Sequence, residues 1–162
     1  MARTAPRLSW KEPQVERFLI DRHISPRDEL IALLAYNGVK YSEDKEGLRF
    51  ALEDGPHVWE TVCRYAGLTV LIYGLYPFET AGGEQTLRVL DRINGELTRG
   101  SMFLGGGRVV MRTGADLYDA FSAYEAIARA IEYNAGAIVK YWQTIRFHNT
   151  KAQLIRKEDA PH

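Results

Sequence analysis

Disulfide chemistry is missing from this sequence: Cys63 is the only cysteine among 162 residues, so no intramolecular bridge can form. It stands in a strand-like run, where a free cysteine acts as a small buried hydrophobe, and spacing gives it no partner histidine. Net charge is missing too. Lys plus Arg number 21 and Asp plus Glu number 21, so the overall field offers nucleic acid no attraction. No apolar stretch approaches the roughly 20 residues that span a bilayer. The opening MARTAPRLSWKEP has charges but lacks the apolar run of a signal peptide. The expectation is a cytoplasmic protein with neither membrane nor nucleic acid among its partners.

Catalytic patterns are equally scarce. There is no G-x-S-x-G elbow and no cysteine–histidine signature. His23, His57, His148 and His162 show no metal-ligand spacing to one another or to the cysteine. Glu43, Asp44, Glu46, Glu53 and Asp54 flank turns and read as solvated acids. RGSMFLGGGRVVMRT, residues 99–113, has the glycines of a phosphate loop. A Walker A loop, however, needs a lysine and a hydroxyl after its glycines and runs from a strand into a helix. Here neither residue is present and two apolar runs flank the glycines, which is the chemistry of a hairpin turn. No cofactor and no metal is expected, and the chain reads as a non-enzyme.

What the sequence does contain is a globular composition, 46% hydrophobic and 26% charged. A chain of this length buries roughly two-thirds of its unfolded surface in one core. Residues 1–25 read as an N-terminal extension, with a short helix in PQVERFLIDRHI that places Val15, Phe18 and Leu19 on one face. Residues 26–147 read as a single domain, and 148–162 as a frayed tail. Ser25, Pro26, Asp28 and Glu29 start a helix whose buried stripe is Leu30, Leu33 and Leu34, and Asn37-Gly38 stops it. The period then falls to two through LRFALE, HVWETVCRY and LTVLIYGLY, a meander of three strands ending at Pro77. EQTLRVLDRINGEL is a helix with Leu87, Leu90, Ile93 and Leu97 on one side and Gly100 as its cap. Two strands surround Gly105–Gly107. A last helical pattern starts at Asp116 with Leu117, Phe121, Tyr124, Ile127, Ala128 and Ile131; Asn134-Ala135-Gly136 kinks or ends this first segment, and Ile138, Trp142 and Ile145 offer a continuation of the stripe. The predicted fold is α+β: an antiparallel five-stranded sheet with helices packed on one face, in the order α-β-β-β-α-β-β-α.

One strand breaks the expected alternation. Leu68, Val70, Ile72 and Tyr76 make its inward face, yet Leu71, Tyr73 and Leu75 occupy the side that a one-sided sheet turns to water. Exposed apolar rows of this kind mark dimer or partner surfaces. The alternative is a cover supplied by residues 13–24 or by the last helix. Tyr141 and Trp142 join the candidate surface, because aromatic residues with a polar handle favour interfaces, with core packing the competing place for Trp142. The resulting expectation is a non-enzymatic protein-binding module, a homodimer with an unknown polypeptide partner. The competing reading is a small-molecule-binding domain or an enzyme whose site assembles from distant residues.

The element order, together with LRVLDRINGELTRGSMFLGGGRVVMRT at residues 87–113, resembles the YbjN family of bacterial proteins, described as regulators of sensory transduction. The match runs over about residues 26–133. Its most specific parts are Ile93-Asn94, Gly100-Ser101-Met102-Phe103 and Val109-Val110-Met111-Arg112. The resemblance implies a fold like that of type III secretion chaperones, and a protein that dimerises and binds other polypeptides in a chaperone-like or regulatory role. Dedicated secretion chaperones are acidic, whereas this chain is neutral.

Overall fold

The structure is a computed structural model that describes residues 24–80 and 82–147. The helix expected around Val15, Phe18 and Leu19 and the tail from 148 onward lie outside the described residues. Helix α1 spans Pro26–Tyr36, followed by strands β1 (Tyr41–Asp44), β2 (Gly47–Asp54), β3 (His57–Ala66) and β4 (Thr69–Glu79). Helix α2 (Glu84–Glu96), strands β5 (Ser101–Gly105) and β6 (Arg108–Asp116) and helix α3 (Ala123–Lys140) complete the order. A further helical stretch runs over 142–147.

The strands form one antiparallel sheet in the order β1-β2-β3-β4-β6-β5. The sheet therefore has six strands rather than the expected five. The extra one, β1, reads YSED and all four residues are exposed, so it carries no apolar alternation to reveal it. It forms because it pairs with β2, Tyr41 opposite Phe50 and Asp44 opposite Gly47.

Helix α1 starts as its sequence predicts: the Ser25 hydroxyl accepts from the Asp28 amide at 3.2 Å, and Leu30, Leu33 and Leu34 are buried. The stripe of α2 is rotated from the expected one. Thr86, Val89, Leu90 and Ile93 face the core, and Leu87 is exposed. Gly100 is not the cap of α2, which ends in an extended Leu97. Gly100 instead adopts φ +68° beside β6, where any Cβ would collide with the Arg112 carbonyl. Gly106 and Gly107, at φ +59° and +81°, make the expected tight hairpin turn. Leu68 is exposed in the turn with Gly67, not on the inward face. β4 runs past Pro77 to Glu79 through an irregularity in its pairing with β6, a place where the missing amide is tolerated.

Helix α3 begins later than expected, at Ala123, so Leu117 is a buried loop residue and Phe121 is exposed. It also continues through Asn134-Ala135-Gly136. Asn134 is not a breaker, because its amide reaches the sheet: Nδ2 donates to the carbonyls of Ile72 (3.1 Å) and Met111 (2.9 Å). Gly74 leaves the space for this approach; a Cβ there would strike Asn134 and Ile138. The buried faces of all three helices, with Leu48, Phe50, Leu52, Trp59, Cys63, Val70, Ile72 and Tyr76 of the sheet, form one core. The helices thus occupy one face of the sheet, as predicted.

Candidate functional site

The opposite face of the sheet is where the charged and apolar residues meet without a described element above them. Register fixes its composition. One transverse row reads Arg49, Val62, Tyr73, Arg112, Ser101, and the next reads Ala51, Glu60, Leu75, Val110, Phe103. Leu71, Tyr73 and Leu75 lie here together, half-buried along β4. They are joined by two valines that the periodicity did not single out. Val62 and Val110 are only 6% and 5% exposed, yet neither belongs to the core under the helices. Their signal was present in the sequence: Val62-Cys63 and Val109-Val110-Met111 put apolar residues on both sides of a strand, where a one-sided sheet alternates. Phe103, 37% exposed, extends the patch to β5.

Tyr141 and Trp142, expected on this surface, lie on the helical side and are buried. The Trp142 ring stacks on His57 at 4.2 Å and packs against Tyr76 and Phe78 at 5.5 and 5.6 Å. The Tyr141 hydroxyl donates to Glu96 at 2.6 Å, which with burial pushes its pKa up to about 12. Both aromatics hold the end of α3 to the fold. Cys63 is fully buried and its thiol pKa is pushed up by burial, so it is a core residue as its sequence context predicts.

Charges frame the apolar patch unevenly. Arg49 reaches Asp44 at 3.0 Å and Glu60 at 2.6 Å. Arg64 reaches Glu46 at 3.2 Å and lies 5.7 Å from the Tyr73 ring centre, a cation–π distance. The Glu46 backbone amide and Arg49 hold the Asp44 carboxyl below its usual pKa. On β6, Arg108 and Arg112 have no carboxylate partner among the described residues. A concavity of about 400 Å³ lies over Val62, Tyr73, Leu75, Phe103 and Val110, rimmed by Arg49 and Arg64.

A second hollow, about 540 Å³, is lined by Glu43, Asp44, Glu46, Arg64 and Tyr65. Its charges already answer one another, since Arg27 forks onto Glu43 at 2.7 and 2.8 Å and Asp44 and Glu46 hold the arginines above. Among the described residues, no group of three or more His, Cys, Asp or Glu side chains is placed to hold a metal ion. No described helix is long and apolar enough to cross a membrane.

The edges of the sheet are closed to strand addition. β1 is charged, with Glu43 and Asp44 between Lys40 and Lys45. On β5, the Asn94 side chain accepts from the Met102 amide at 2.7 Å and donates to the Met102 carbonyl at 3.0 Å. An asparagine from α2 thus stands where a neighbouring strand would pair. Among the described residues, what remains uncovered is a sheet face, in an α+β fold whose described helices lie on the other side.

No family model and no curated protein sequence matches the chain. Among solved structures, it is similar to the crystal structure of YbjN from E. coli, described there as a candidate transcription regulator. The likeness has a TM-score of 0.53 at 12% identity and covers 70% of this chain and 89% of that one. The fold is therefore YbjN-like, as the sequence resemblance implied.

Proposed function

We propose that the protein is a non-enzymatic, regulatory protein-binding module that acts through the uncovered face of its sheet. The observation that carries this is the continuous patch of Val62, Leu71, Tyr73, Leu75, Phe103 and Val110, on the face that no described helix covers. Apolar side chains gathered on one face, with arginines at their rim, are the composition of a protein interface rather than of a solvated sheet. The regulatory part of the reading draws on the neighbour's description as a candidate transcription regulator.

Affinity capture from the source cell tests it, with wild-type protein beside a folded Leu71→Glu, Leu75→Glu variant. The expected result is a reproducible set of polypeptides retained by the wild type and lost by the variant. Equal capture by both removes the face from the function.

A further inference from the structure

Any docking on the uncovered face has to settle the charge of Arg112. Its side chain is exposed and stands among the residues of the patch. In register it faces Tyr73 on β4 and Ser101 on β5. Val110 and Gly114 flank it along β6, and Leu75 and Phe103 stand diagonally in the next row. None of these neighbours is acidic. The other arginines of the face differ in this respect. Arg49 is answered by Asp44 and Glu60, and Arg64 by Glu46. Arg108, at the start of β6, has Glu79 opposite it in register. Asp116 shares this face of β6, but it lies beyond Gly114, roughly 13 Å of strand from Arg112. It accepts a hydrogen bond from the Thr69 hydroxyl at 2.6 Å.

A partner that covers the patch strips water from this guanidinium. Burying an unpaired charge is strongly unfavourable unless the incoming surface supplies the counter-charge. Arg49 and Arg64 make no such demand, since their acids stand beside them on this chain. We infer that Arg112 is the specificity-determining residue of the face. The polypeptide that docks there is an apolar segment bearing an aspartate or glutamate. Its carboxylate meets Arg112 while its apolar side chains fill the concavity over Val62, Tyr73, Leu75, Phe103 and Val110. The chemistry suits that acceptor: a guanidinium forks onto a carboxylate with two parallel N–H donors. The Ser101 hydroxyl, in the facing position on β5, is a further donor. A lysine or arginine brought to the same point meets like charge, so the residue selects against basic segments as well as for acidic ones. The inference rests on the reading of the face as a protein-binding surface and adds the chemistry of what binds.

Selection of random peptides displayed on phage against the immobilised full chain tests it. The enriched peptides should join large apolar residues to Asp or Glu. Arg112→Gln should remove the acidic preference, and Arg112→Glu should replace it with a basic one. For a selected peptide, Arg112→Gln should raise the dissociation constant about tenfold, and so should exchanging the peptide's acid for its amide. The two changes together should cost little more than either alone, as for groups that meet. Both variants alter an exposed side chain, and circular dichroism equal to wild type shows that each is folded. Apolar peptides without an acidic preference, or a preference that Arg112→Glu leaves unchanged, overturn the role of Arg112 and leave the protein-binding reading standing. Peptides held equally by the Leu71→Glu, Leu75→Glu variant, or no enrichment at all, count against the face itself, and both readings fall.

Discussion

Asn134 couples the longest helix to the centre of the sheet with one amide group. It donates to backbone carbonyls on β4 and β6, and the Thr113 hydroxyl beside it donates to Ala130 at 2.9 Å. Removing one side of a buried hydrogen-bonded group leaves the other unsatisfied, so Asn134→Ala should lower the unfolding free energy by about 1–3 kcal/mol. Gly74→Ala, which fills the space that Asn134 and Ile138 occupy, should cost about 1–3 kcal/mol through overpacking. Urea titration measures both, and a neutral result for either would contradict the interdigitation described. Buried hydroxyls set a second expectation at this scale. Burial of Tyr65, and the Glu96 hydrogen bond of Tyr141, push both pKa values up to about 12, and burial also raises Tyr76. Raised pKa values mean that the native state keeps protons the unfolded chain releases. This contribution is intact below pH about 10 and is lost as pH climbs toward 12. Tyr133 opposes it, because its hydrogen bonds with Thr98 and with the Thr98 and Arg99 amides lower its pKa. The urea midpoint should fall between pH 10 and 12; a flat profile would show that these hydroxyls keep no protection in the native state.

At the scale of elements, α2 and β5 behave as a unit because Asn94 pairs with both backbone groups of Met102. Asn94→Ala should expose the β5 edge, and concentration-dependent strand association should follow, visible as light scattering that wild type lacks at the same concentration. This pair also explains why the segment around Ile93-Asn94 and Met102-Phe103 is so informative about the fold: its pattern encodes the closing of a sheet edge. Other elements were legible for simpler reasons. Ser25-Pro26 and the leucines of α1, the alternation of β2 to β4 and the glycine turn before β6 each follow from local rules. Strand β1 was not legible, because YSED pairs with β2 without burying anything of its own. The continuation of α3 through Gly136 was hidden for the opposite reason. Tertiary bonds from Asn134 override a local signal that reads as a kink or a stop. On the candidate face, Leu71, Tyr73 and Leu75 were visible as odd positions in an apolar strand. Val62 and Val110 carried the same signal, apolar residues on both sides of a strand, but register is what places them beside those three residues, and Tyr141 and Trp142 were drawn to the wrong side by their residue type alone.

At the scale of the molecule, the sheet separates two kinds of apolar surface that should respond differently to substitution. Trp59 lies under the helices at 2% exposure, and Trp59→Ala should cost about 3–5 kcal/mol. Tyr73→Ser, on the open face, should change stability by less than about 1 kcal/mol in solutions too dilute for association. Fluorescence-monitored unfolding at nanomolar concentration distinguishes the two, and comparable losses would mean that the open face is part of the core. Strand order carries a consequence for how the chain assembles. β6 sits between β4 and β5, so the middle of the sheet closes by pairing residues as distant as Val70 and Ala115, after a costly search by a long loop. The β5–β6 hairpin, by contrast, closes locally across Gly106-Gly107, and Asn94 ties it to α2 over eight residues. The topology therefore predicts that the β5–β6 hairpin with α2 forms before β6 docks on β4, so that weakening the β4–β6 contact slows folding in stopped-flow refolding more than weakening the β5–β6 turn does.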